Sequence, residues 1–236
     1  MDALHAASAR FAAVLQSGPP WLEKFWVTVT SVADPKSIFT VFFPLAYFLD
    51  HGMGVSVLWI GLLAEWLNIV LKWFLFGERL FWWVHESGLA STEPLALKLH
   101  QGRFRLDIRK NVLCFCFAGS PSGHCMITGA GLWPLVSTLT ALASTHSRSS
   151  VVKLVPFTAY VLLLVTVGLS RIFVLAHFPH QVVGGILAGA VLGWRLQSLT
   201  PVARTPRFFV ATALALLLGT LALHRLVIAA NIDIDW

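Results

Sequence analysis

Residues 56–76 read SVLWIGLLAEWLNIVLKWFLF, with only Glu65 and Lys72 charged. A hydrocarbon layer about 30 Å thick needs about 20 such residues, because a helix rises about 1.5 Å per residue. The run therefore predicts a membrane-spanning helix. Glu65, Asn68 and Lys72 stand at i, i+3 and i+7, on one helical face. A polar stripe inside a span faces the bundle interior or a cavity. It either supports a site from below or pairs internally.

Working outward, five more runs approach the same length: about 25–48, interrupted by Asp34-Pro35-Lys36, then about 125–144, 154–172, 179–196 and 208–229. The expected fold class is all-α, a polytopic transmembrane helical bundle of about six spans. One membrane-embedded domain over 1–236 is expected, with no linker-like stretch or internal repeat. Gly185, Gly189 and Gly193 repeat every four residues in the fifth run, a spacing that lets helices approach closely in lipid. They read as a packing seam.

Charge orients the bundle. Arg148 and Lys153 follow the third span, and Arg195, Arg204 and Arg207 follow the fifth, with no acid in either loop. The positive-inside rule makes these loops cytoplasmic. The 77–123 connection, both termini and the junction between the fourth and fifth spans then lie on the opposite, lumenal side.

Composition agrees. Hydrophobic residues make up 57% and charged residues 12% of 236, against about 25% charged in a typical soluble domain. Mean hydropathy is +0.76. The net charge of +6 reports topology and headgroup contact with membrane lipid, and no nucleic-acid partner is expected. Cys114, Cys116 and Cys125 lack a zinc-type partner set, so no metal and no cofactor are expected. Met1 to Pro20 has no long apolar core of a cleaved signal peptide, which leaves the first span as the targeting signal.

Three clusters carry chemistry. KWFLFGER (72–79) brings Lys72 and Arg79. Pro121-Ser122-Gly123-His124 precedes the third span. SRIFVLAH (170–177) brings Arg171 and His177. Any one cation alone reads best as a side chain snorkelling to the interface. Together, two Arg, one Lys and two His reach the same face of the expected bundle. Phosphoryl transfer needs such a set, because its transition state spreads negative charge over three oxygens and catalysis is mainly positioning and electrostatic stabilisation. Two histidines can divide nucleophile and general acid. Ser-Gly ahead of an apolar run suits a helix N-terminus, whose free N–H groups bind anions.

Lys72-x6-Arg79, Pro121-Ser122-Gly123-His124 and Ser170-Arg171-x5-His177 resemble the signature of the type 2 phosphatidic acid phosphatase and haloperoxidase superfamily. GSPSGHCMITGA (119–130), SRIFVLAHFPHQV (170–182), EWLNIVLKWFLFGER (65–79) and FWWVHESG (81–88) resemble its glucose-6-phosphatase catalytic subunit family, the ubiquitous isoform in particular. The resemblance implies an enzyme that hydrolyses glucose 6-phosphate or a similar sugar phosphate to sugar and inorganic phosphate. His177 would attack phosphorus and form a phosphohistidine, and His124 would protonate the leaving oxygen. Lys72, Arg79 and Arg171, with Ser122 and the Gly123 amide, would hold the phosphoryl oxygens. The resemblance further implies an endoplasmic reticulum membrane, a lumenal site and a sugar-phosphate transporter as partner.

The chain departs from that pattern in places. Leu80 stands where the superfamily has proline after Arg79, and Gln181 where it has a nucleophile-orienting Asp. Asp34 and Glu86 are the candidate substitute acids. Residues 94–118, rich in Lys98, Arg103, Arg105, Arg109 and Lys110, form an atypical basic insert in the lumenal loop. It reads as an aberrant insertion or an anion funnel. The family continues beyond Trp236 with further helices, so a shortened form is expected. A lipid-phosphate phosphatase and an inactive membrane partner remain as alternatives.

Overall fold

The computed structural model describes residues 2–75, 77–87, 119–199 and 205–230. Among them every regular element is helical. In order they are α1 (Asp2–Gln16), α2 (Pro20–Val32), a π-helical turn (Ile38–Phe42), α3 (Phe43–Leu49), α4 (His51–Leu75), α5 (Leu80–Glu86), α6 (Gly123–His146), α7 (Ser150–Phe173), α8 (Pro179–Gln197) and α9 (Pro206–Ala229). The basic stretch 94–118, with Cys114 and Cys116, lies outside the described residues.

Local chemistry sets several boundaries. Pro20, Pro179 and Pro206 open α2, α8 and α9, at the one helical position where proline costs no hydrogen bond. Asp50 accepts a hydrogen bond from the Met53 amide at 2.6 Å and so caps α4. The expected first span is divided. Asp34 accepts from the Lys36 amide at 2.9 Å, a local turn that competes with the helix, and Pro35 adds a break. Helix resumes at Lys36 and passes into the π-helical turn at Ile38.

Four helical segments, beginning at His51, Gly123, Ser150 and Pro206, are long and apolar enough to cross a membrane. Large apolar side chains stay exposed along them, including Leu162, Leu214, Leu217 and Leu218. Patches of that extent are rare on soluble monomers, and the chain is a multi-pass membrane protein. The helix of the expected fifth run, α8, has the length but carries His180, Gln181, Arg195 and Gln197.

Helix α6 is the axis of the bundle, with α4, α7 and α8 packed around it. The glycine seam makes this possible. A β-carbon on Gly185 would lie 2.7 Å from the Ser122 carbonyl oxygen. On Gly189 it would strike the Met126 carbonyl, and on Gly193 the Trp133 side chain. The Tyr160 hydroxyl of α7 donates to the Gly129 carbonyl of α6 at 2.8 Å. By contrast, α9 meets α4 at few places, among them a 2.8 Å bond from Trp66 Nε1 to Thr220 Oγ1.

Helix α1 has no counterpart in the sequence reading. It packs on α5 and α7, with Ala9 and Ala12 fully buried.

Gly189→Val should lower stability by about 1–3 kcal/mol through overpacking. Gly184→Ala, where no atom lies within 4 Å of the added carbon, should be neutral. Thermal unfolding of both variants in detergent checks this, and equal midpoints would refute the seam.

Candidate active site

Five helix ends meet at one end of the bundle. Lys72 lies in the last turn of α4 and Arg171 in the last turn of α7, where the negative end of a helix dipole favours a cation. Arg79 is the residue before α5. Ser122 precedes α6, which begins Gly123-His124, and His177 lies just before α8. The N-terminus of α6 thus points its free N–H groups into a group of cations.

The charges are close enough to act on one another. His124 lies within electrostatic reach of Arg171, His177, Lys72 and Arg79. His177 lies within reach of Arg171, Arg79 and Lys72. Arg171 and His177 are buried, and Ser122 and Ser170 are fully so. The Ser122 hydroxyl, sealed from solvent, has no well-aligned hydrogen bond within the described residues.

The His177 ring is fixed by its back edge. Its Nδ1 is 2.8 Å from the Gly119 carbonyl oxygen. A carbonyl can only accept, so Nδ1 carries the proton and Nε2 keeps its lone pair. Burial above all, then the charges of Arg171, Arg79 and Lys72, hold the imidazole well below the usual histidine range, against the opposing pull of the Gly119 bond. The ring is therefore neutral at neutral pH.

Gln181 ties the clusters together. Its side-chain oxygen accepts from the Phe178 amide at 3.1 Å and sits 3.3 Å from His177 Nδ1. Its Nε2 donates to the Glu78 carbonyl at 2.9 Å, next to Arg79. Its own carbonyl accepts from the Ser122 amide at 3.1 Å. A further bond joins the Gly119 amide to the Gly77 carbonyl at 2.6 Å. Gly77 has φ +122°, a conformation open to glycine and costly for other residues.

The expected site residues Lys72, Arg79, Ser122, Gly123, His124, Arg171 and His177 all fall in this one region. Asp34 does not: it lines an apolar cavity between α2, α6 and α7. Nothing is described of the Glu86 side chain. The polar stripe on α4 divides. Asn68 Nδ2 reaches the Pro121 carbonyl at 3.3 Å, beneath Ser122, while Glu65 lies near Asp34 and Lys36. Arg79 keeps extended backbone, φ −90° and ψ 144°, the conformation a following proline would impose. Leu80 is fully buried instead.

The PAP2 superfamily model matches residues 53–205, which hold all three clusters. The chain belongs to the PAP2 superfamily. This PAP2 chain is 46% identical over its whole length to glucose-6-phosphatase 3 of Bos taurus and of Homo sapiens, covering 65% of each. It is 35% identical over 199 residues to glucose-6-phosphatase catalytic subunit 1 of Haplochromis nubilus, covering 81% of this chain and 53% of that relative. The chain thus spans about two thirds or less of the length of these relatives. No solved structure matches it.

Histidine nitrogen NMR on labelled protein should show His177, assigned by its replacement, as a neutral ring protonated on Nδ1 near pH 6. An exposed histidine is half charged or more there, given an ordinary pKa of about 6.5. A charged His177 at that pH would contradict the geometry.

Proposed function

We propose that this protein hydrolyses glucose 6-phosphate, or a closely similar sugar phosphate, to the sugar and inorganic phosphate through a phosphohistidine. The observation that carries the reading is the ring tautomer. A neutral His177, held through Nδ1 on the Gly119 carbonyl, presents an Nε2 lone pair beside three cations.

In the first step Nε2 attacks phosphorus and the bond from phosphorus to the sugar oxygen breaks. His124 takes up a proton once the bound phosphate dianion offsets the neighbouring cations, and it gives that proton to the oxygen. In the second step water attacks the phosphohistidine, His124 accepts the water proton, and the N–P bond breaks to release phosphate. Lys72, Arg79 and Arg171 hold the equatorial oxygens, with the Ser122 hydroxyl and the Gly123 amide as further donors. Preorganised donors of this kind are typically worth about 10²–10³-fold each. The chemistry needs no metal or cofactor.

Placement follows the charge pattern. Arg148, Arg195 and Arg207 occupy the end of the bundle away from the site. Basic loops stay cytoplasmic, so the site faces the lumen of the endoplasmic reticulum in a six-span, single-domain arrangement. A charged substrate then needs a sugar-phosphate transporter as partner, and the bundle itself needs membrane lipid. The strongest support for a sugar substrate is the 46% identity to glucose-6-phosphatase 3. Phosphatidic acid is the competing substrate class.

Phosphate release from glucose 6-phosphate by the purified chain should vanish in His177→Ala, and an acid-labile phosphoprotein should form in the parent only. Unchanged release in the variant would overturn the mechanism. Faster release from phosphatidic acid than from glucose 6-phosphate would overturn the substrate.

A further inference from the structure

The turn that carries His177 is strained. Leu175 has φ +59°, a left-handed conformation that costs a bulky residue of order 1–3 kcal/mol unless its surroundings hold it. Within the turn the Leu175 and Ala176 amides bond back to Ile172 and Arg171. Those short-range bonds define the bend. The Leu175 carbonyl also accepts from the Phe81 amide at 2.9 Å, which ties the middle of the bend to α5, and its two ends are left to other contacts.

Helix α1 grips this turn at both ends. At one end Gln16 Nε2 donates to the Phe173 carbonyl at 2.6 Å, a buried contact across 157 positions of sequence. That carbonyl belongs to the last turn of α7, where helical partners run out. At the other end the His5 ring stacks on Phe178, the residue after His177, with centroids 4.2 Å apart and planes 25° apart. Phe178 continues the stack to His180 at 5.6 Å, and Trp83 meets His5 edge-on at 5.4 Å. Between the two grips, Ala9 and Ala12 share one apolar cluster with Leu80, Leu175 and Phe178. Larger side chains at 9 and 12 would lift the helix off the turn.

We propose that α1 is a strap that positions the 174–178 turn, with His5 and Gln16 as positioning residues for His177. The strap acts on where the nucleophile stands and does not itself touch the phosphoryl group. His5 acts through its ring faces, because its Nδ1 is buried without a hydrogen-bond partner among the described residues. Phenylalanine should therefore replace it. A displacement of about 1 Å at a reacting atom costs on the order of 100-fold, so modest slackening of the turn is enough to be measured.

The inference rests on the phosphatase reading, and the two fail separately. Absence of glucose 6-phosphate hydrolysis by the parent chain sinks the reading, and the comparison among variants tests the strap. In the full chain, His5→Ala and Gln16→Ala should each lower kcat about tenfold, with KM held within about twofold. His5→Phe should retain most of the parent kcat. Rates are taken per folded protein, measured by gel filtration in detergent. Parental kcat in both alanine variants would overturn the strap. So would a His5→Phe variant as slow as His5→Ala, or losses that appear in KM alone. If His5→Ala fails to fold, Gln16→Ala and His5→Phe still decide.

Discussion

The site depends on one neutral amide. Gln181 is almost wholly buried; its side chain bonds to the Glu78 carbonyl and the Phe178 amide, with His177 Nδ1 alongside, and its main-chain carbonyl accepts from the Ser122 amide. Those partners neighbour or belong to the three clusters far apart in sequence. An amide has both a donor and an acceptor, and this fold uses both at once. A carboxylate could not donate to Glu78. A buried polar group left without partners costs about 1–3 kcal/mol, so each bond holds the others in place.

Electrostatics explains why the site lies at helix ends. A cation at the centre of a bilayer costs about 2.5–3.5 kcal/mol on insertion scales. Lys72 and Arg171 avoid that cost by sitting in last turns, where the helix dipole also favours them. The same cations, gathered under Ser122 and the α6 N-terminus, make a region that favours an anion and disfavours a charged imidazole. Holding phosphate and keeping His177 neutral follow from one arrangement. The glycine seam sets the distance scale, since α8 can carry Gln181 against Ser122 only if Gly185 leaves room for the Ser122 carbonyl.

Much of this was legible in the sequence. The apolar runs gave α4, α6, α7 and α9 because a bilayer imposes a length, and a length can be counted. The three clusters were legible because phosphoryl transfer requires particular side chains. Asp34-Pro35 marked the break between α2 and the helical turn that follows. The hidden parts are those made from main chain or from distant contacts. The Gly119 carbonyl, which orients His177, has no side-chain signal. Asp34 was a candidate for that work from its charge alone, yet its position beside the cavity between α2 and α7 follows from packing. Helix α1 was missed because alanine, serine and histidine at close spacing give no apolar run. Its Ala9 and Ala12 are small for the reason that the helix must lie close to Leu80 and Phe178.

The most direct test is the rate of phosphate release by Gln181→Leu, a change that keeps side-chain bulk and removes every side-chain hydrogen bond. With the folded fraction unchanged, kcat should fall at least about tenfold, because Glu78, Phe178 and His177 lose their common tie. A Gln181→Leu chain turning over at the parental rate would show that the Arg79 and His177 clusters are held together by something else.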